Sequence, residues 1–190
     1  MNGRSTLYFA GGCFWGVEHA FRQLDGVLET TTGYANGRIL NPTYSQVKQG
    51  DTGYRETVRV CFDPAVVSVE TLLKAFFLII DVTQDDGQGH DIGDQYRTGI
   101  YYPADFDPKL LEATRKAFGE EKQRHNVFFT EFKPLENFYD AEDYHQDYLI
   151  NNPSGYCHVT IKQFQAVRAL NGRWHVRLDS SVYRRRTRGS

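Results

Sequence analysis

Apolar residues recur along the chain at two spacings, and the switches between them outline the fold. TLYFA, from Thr6, reads as a short strand that leaves through Gly11 and Gly12. FWGVEHAFRQL then places Phe14, Val17, Phe21 and Leu24 on one face of a helix. VLETTTGYA returns to strand character, and GRILNPTYSQVKQGDTGY is a long Gly, Pro and Asn loop with a short turn at TYSQV. RETVRVCFDP alternates as a strand, with Val58, Val60 and Phe62 on one face and Cys61 on the other. SVETLLKAFFLII predicts a helix entered at Ser68, with Thr71 three residues on as a partial capping box.

DVTQDDGQGHDIGDQYR is a polar, Gly-rich loop leading to a strand at TGIYYP. PKLLEATRKAFGEEKQRH is an amphipathic helix that turns Leu110, Leu111, Thr114 and Phe118 toward the core. VFFTEFKPL predicts a further strand, AEDYHQDYLINN a helix, and NPSGYCHVTI a turn running into an extended piece. From about Gln165 the periodicity fades, and YRRRTRGS reads as a solvated basic tail. Interleaved strands and helices predict an α+β fold, a two-layer α/β sandwich on a mixed sheet. One domain is expected over residues 1–165, with 166–190 as a C-terminal extension.

Composition narrows the function classes. A chain of 190 residues with a formal net charge of -2 has neither the strong basic balance of a nucleic-acid binder nor the composition of a disordered segment. AFFLII falls well short of the ~20 apolar residues of a membrane span. TLYFA lacks the basic flank and full apolar stretch of a secretory signal, so a cytoplasmic protein is expected, with no nucleic-acid or membrane partner, acting as a monomer.

The three cysteines, Cys13, Cys61 and Cys157, form no CxxC pair, which argues against a zinc ribbon or a disulfide scaffold. Cys13 stands out, because it falls where a strand ends in two glycines and a helix begins. The unpaired amides and positive dipole end of a helix N-terminus favour thiolate, so a lowered pKa and a nucleophile are expected there. Phe14 and Trp15 are neighbours about 100° apart on that helix, and they cannot both face one core.

The aspartate-rich loop invites a metal reading, but an EF-hand register from Asp81 puts Asp86 where glycine is required and Ile92 where a bidentate glutamate belongs. No metal is expected. His145 reads as a hydrogen-bonded helix residue rather than a base. A Cys/His thiol hydrolase stays open only if a histidine reaches Cys13.

GGCFWGVE resembles the active-site signature of the A-class peptide methionine sulfoxide reductases. The likeness continues in order through GYANG, NPTY, GDTGYRE, GQGHDIGDQYR, AEDYHQDYL and NPSGYCH. It spans about Tyr8 to Val159. The resemblance implies a ferredoxin-like core and a peptide-methionine (S)-S-oxide reductase that serves protein repair under oxidative stress.

By motif position it implies Cys13 as nucleophile and Glu56 as the acid that protonates the sulfoxide oxygen. On its place in the strand alone, Glu56 reads as a solvated edge carboxylate. Tyr44 and Tyr96 correspond to the phenols directed at the oxygen and Asp91 to the carboxylate beside them, although with twelve tyrosines any one also suits packing. Phe14 and Trp15 correspond to the pocket for the substrate methyl. The implied product on Cys13 is a sulfenic acid, which a second thiol condenses to a disulfide. Cys157, beside a turn at Pro153 and Gly155, is the partner implied, with Cys61 held mid-strand.

Thioredoxin is the implied reductant, and neither an organic cofactor nor a metal is required. Two departures stand out. Many relatives carry a further cysteine after the GYC motif and none follows Cys157; and Ile80, Asp81 and Val82 occupy the place of a frequent His-Asp-Pro. A module that binds oxidised methionine without reducing it is the reading of another class, and the pairing of Cys13 with Glu56 speaks against it.

Overall fold

The computed structural model describes residues 3–171. Six strands form one mixed sheet: β1 (Ser5–Ala10), β2 (Val27–Ala35), β3 (Arg55–Phe62), β6 (Gly99–Tyr102), β7 (Glu131–Pro134) and β8 (Phe138–Asp140). Their order is β7-β6-β1-β3-β2-β8, antiparallel throughout except for the parallel pair β6 and β7. Helices α1 (Phe14–Phe21) and α3 (Val69–Ile79) supply the second layer, joined by α4 (Pro108–Lys122) and α6 (Ile161–Arg168). The expected α+β sandwich with a mixed sheet is therefore the fold observed.

Alternation on the strands builds the core. Leu7 and Phe9 of β1 and Val58, Val60 and Phe62 of β3 are fully buried on one sheet face, beneath Val17 and Phe21 of α1 and Leu72 and Phe76 of α3. On the reverse face, Ala10, Ala35 and Tyr101 form a smaller cluster with Tyr8, Leu135 and Phe138. The predicted entry of α3 is present, with the Ser68 hydroxyl accepting from the Thr71 amide. Thr114 of α4 is buried, and Leu110, Leu111 and Phe118 pack against the core as their spacing predicts.

Several segments differ from expectation. The loop after α3 contains a minimal hairpin, β4 (Gly87–Gln88) against β5 (Asp91–Ile92), followed by a 3-10 turn at Asp94–Tyr96. The helix expected over AEDYHQDYLINN is split into a 3-10 turn, Asp143–His145, and α5 (Tyr148–Asn151). Asp147 between them has φ +54°, which a continuous right-handed helix excludes.

The sequence places no helix near residue 165, yet α6 runs through it. Thr160 and Gln163 form a capping box at its start, and Val167 and Leu170 belong to the core. The expected domain end at 165 thus falls inside a packed helix, while the basic end of the chain lies outside the described residues. Among the described residues no helix is long and apolar enough to cross a membrane.

Candidate active site

The exit of β1 delivers Cys13 to the cap position of α1. Gly12 makes the bend with φ +83°, and a Cβ there would lie 2.7 Å from Gln88 Cβ and 3.1 Å from His158 Nε2. Only glycine meets both demands. Gln88 is in turn fixed by its own amide, which accepts from the Asp81 N–H at 2.7 Å and donates to the Asp81 carbonyl at 2.8 Å. The polar loop is thereby pinned against the cysteine turn.

Glu56 comes from the neighbouring strand. It lies on the helix-facing side of β3, opposite Tyr34 of β2, and is 2% exposed. The Phe14 N–H donates to Glu56 Oε2 at 3.1 Å, which seats the carboxyl against the first turn of α1. Burial raises its pKa to about 8, with Asp91 adding to the rise, while the Phe14 amide and Lys48 oppose it. Glu56 is therefore no solvated edge carboxylate but a proton-bearing acid at neutral pH.

The thiol behaves differently from its expected ionisation. Cys13 is 6% exposed, and burial pushes its pKa well above the usual thiol range, with the Glu56 carboxylate as the next contributor. The Trp15 amide at the helix start does pull the other way, but desolvation outweighs it. A helix N-terminus favours the thiolate, but apolar burial raises a thiol pKa, and here burial is the larger effect.

Two phenols close over this pair. Tyr44 begins α2 (Tyr44–Lys48), whose cap Thr43 forms a capping box with Gln46. Tyr96 ends the 3-10 turn after β5. Their hydroxyls are in hydrogen-bond contact, and burial together with Glu56 raises both pKa values, that of Tyr44 to about 12. Both stay protonated donors. Asp91 on β5 completes the cluster, adding to the rise at Cys13, Glu56 and Tyr96, and contacting the phenol of Tyr156.

Phe14 and Trp15 divide as their spacing predicts. Phe14 is buried, with its ring centroid 5.1 Å from His145 and 6.0 Å from Tyr34. Trp15 is half-buried, stacked on Tyr148 at 3.7 Å, and donates from Nε1 to His145 Nδ1 at 3.2 Å. His145 thus has the hydrogen-bonded structural role expected, in a 3-10 turn rather than a helix. Among the described residues no histidine hydrogen-bonds to Cys13, which leaves the Cys/His hydrolase without its base.

Cys157 reaches the same helix from the other end of the chain. A Cβ on Gly16 would lie 2.9 Å from Cys157 Sγ, so the bare backbone of α1 is the seat of this sulfur. Cys13, Cys61 and Cys157 are all free thiols, and Cys61 sits near the end of β3, opposite Thr6.

Sequence reasoning missed the residues that hold these groups in place. Glu142 accepts from the Tyr44 N–H at 2.8 Å and the Tyr34 hydroxyl at 2.7 Å, tying α2 to β2. Glu18 accepts from the Thr30 hydroxyl at 3.2 Å and the Asp147 N–H at 3.0 Å, anchoring the segment that grips Trp15. Their acidic character within AEDYHQDYL and GGCFWGVE is the only local signal, and it does not name their partners.

The geometry has counterparts in known proteins. The sequence profile of the family described as peptide methionine sulfoxide reductase matches residues 5–174. A peptide methionine sulfoxide reductase MsrA of Alkaliphilus metalliredigens is 46% identical over 156 residues, covering 82% of this chain and 98% of its own. The crystal structure of Mxr1 from Saccharomyces cerevisiae in reduced form superposes with a TM-score of 0.76 at 36% identity, covering 83% of this chain and 92% of that one. Mxr1 in complex with Trx2 is also similar, with a TM-score of 0.53 at 28% identity over 77% of this chain and 85% of that one.

Proposed function

The chain belongs to the peptide methionine sulfoxide reductase family, and on that premise we propose that it reduces the S epimer of methionine sulfoxide, free or in proteins, through Cys13 and Glu56. The observation that carries this reading is the Glu56 carboxyl, buried, proton-bearing and hydrogen-bonded to the residue next to Cys13. A sulfoxide oxygen is a poor leaving group until protonated, and a carboxyl can offer that proton at neutral pH when its pKa is raised.

The balance follows from two groups that both start protonated. Cys13 sulfur attacks the substrate sulfur as Glu56 protonates the oxide oxygen. The sulfur-oxygen bond then breaks as oxygen passes to Cys13, giving methionine and a Cys13 sulfenic acid. The proton lost by the thiol restores Glu56. Tyr44 and Tyr96 donate to the oxygen as negative charge gathers there. Phe14 and Trp15 receive the methyl group, and Asp91 sustains the raised pKa of Glu56.

Cys157 then attacks the sulfenic sulfur, water leaves, and a Cys13 to Cys157 disulfide remains. Thioredoxin reopens it in this proposal, supported by the similarity to Mxr1 in complex with Trx2. The reductase unit extends at least through Leu170, since Val167 and Leu170 are buried in its core. The test uses separated sulfoxide epimers with dithiothreitol. Turnover of the S epimer by the intact protein and none by Cys13→Ser is expected; full turnover by Cys13→Ser refutes the reading.

A further inference from the structure

The disulfide of the proposed cycle must be reopened by another thiol, and burial sets the direction from which it comes. Cys13 is enclosed, whereas Cys157 is half-buried. Cys157 has the backbone of Gly16 against its sulfur and also lines a half-open cavity of about 490 Å³. That volume lies within the range of small-molecule sites.

The character of the walls is specific. Val159 and Phe164 give an apolar side, with Phe164 edge-on to the His19 ring at 4.8 Å. His19, Gln165 and Arg168 give a polar side, and among the described residues no acidic side chain lines the cavity. Arg168 brings a positive charge to the wall: after burial, it is the next cause that holds the His19 pKa down, ahead of Arg22, which is itself paired with Asp147. A disulfide sulfur open to attack, an apolar wall and a guanidinium together fit one ligand chemistry.

We infer that this cavity receives a low-molecular-mass thiol carrying a carboxylate, which reopens the disulfide by attacking Cys157 as a second route beside thioredoxin. The inference rests on the resolving role proposed for Cys157. The thiolate of the ligand bonds to Cys157 sulfur, the Cys13 to Cys157 bond breaks, and Cys13 leaves with the electron pair and takes up the proton the ligand gave up. A second ligand thiol attacks the ligand sulfur of the mixed disulfide and frees Cys157. Two ligand thiols are oxidised to one disulfide, and the protein disulfide gains two electrons.

The test begins with protein oxidised by methionine-S-sulfoxide in the absence of reductant. The return of free thiols is then timed with glutathione and with its diethyl ester, which keeps the thiol and loses the carboxylates. Glutathione is expected to react with a saturating rate about fivefold above the ester. Arg168→Gln should remove that preference, and Gln165→Glu, which adds an anion to the wall, should reverse it.

Equal rates for the two thiols in the unmodified protein, or a preference that survives both variants, overturn the inference. In Cys13→Ser treated with glutathione disulfide, the adduct is expected on Cys157; an adduct confined to Cys61 also overturns it. Failure of the underlying reading looks different: no Cys13 to Cys157 disulfide forms at the start. A disulfide that dithiothreitol reduces without any carboxylate preference refutes the cavity alone.

Discussion

Glu56 lies against α1 and Glu18 on it, each 2% exposed, and in both the carboxyl pKa is raised toward or above neutral pH. Burial is the largest cause in each, raising Glu56 to about 8 and Glu18 to about 7. Their partners differ. Glu18 has one oxygen on the Thr30 hydroxyl and the other on the Asp147 amide, with Arg22 bridging Thr30 and Asp147 alongside. Glu56 accepts a single hydrogen bond among the described residues, and the groups around it are Cys13, Tyr44 and Tyr96. A raised pKa marks a carboxyl as costly to ionise; the uncommitted oxygen beside Cys13 is what suits Glu56 to the acid role proposed for it.

The largest expected effect separates the two glutamates directly. Glu56→Gln should lower turnover of the S-sulfoxide by about 10²- to 10⁴-fold, the span of a general acid. Glu18→Gln should stay within about tenfold of the unmodified protein, because it acts on Trp15 through Asp147 and its neighbours. Equal losses in steady-state assays would erase the distinction.

Acidity offers a second contrast. As a required acid with a pKa of about 8, Glu56 should make kcat/KM fall as pH rises through that value. A profile still flat at about pH 9 would contradict an acid role for a carboxyl with this pKa.

Stability should follow both glutamates, with a common sign. A raised carboxyl binds its proton more tightly in the folded state. Its contribution is complete below the unfolded value of 4.5 and is lost as pH climbs through the folded one. Relative to the unmodified protein, Glu56→Gln should therefore gain thermal stability progressively up to about pH 8, on the order of a few kcal/mol. For Glu18→Gln the gain should level off near pH 7 and be smaller, because the glutamine sacrifices one of two hydrogen bonds. Melting curves from pH 5 to 9 distinguish the two, and a gain that shrinks with rising pH would reverse the assignment.

The smallest effect tests how Glu18 acts. Trp15→Phe removes the donor to His145 and part of the stack on Tyr148, so KM should rise about threefold to tenfold with kcat changing less. Combined with Glu18→Gln, the change should be less than additive, since both loosen one clamp.

What the sequence made legible was what periodicity and caps encode locally. β1, β3, α1, α3 and α4 carry unbroken alternation or helical spacing. β8 did not show because Phe138–Asp140 is three residues long and owes its strand character to pairing with Gly33–Ala35. α6 has a polar surface that blurs its period, although its Thr160 to Gln163 capping signal was present to be read. At the site, Phe14, next to Cys13, meets Glu56 from 42 positions away, and only the family resemblance joined Cys13 to Glu56. The raised pKa of Cys13 was invisible because enclosure depends on segments as distant as Cys157.

Gly16 gives the proposed cycle a kinetic property. By leaving a bare patch of helix under Cys157, it converts the search for a second thiol from an encounter in solution into one within the molecule. Tethered groups meet at effective concentrations of about millimolar or more, comparable to or above free thiols in dilute solution. In that proposed cycle a sulfenic acid on Cys13 would meet its internal partner before a second oxidant could carry it to an irreversible acid. On the proposed mechanism, one absent side chain would thus shorten the lifetime of its most vulnerable state.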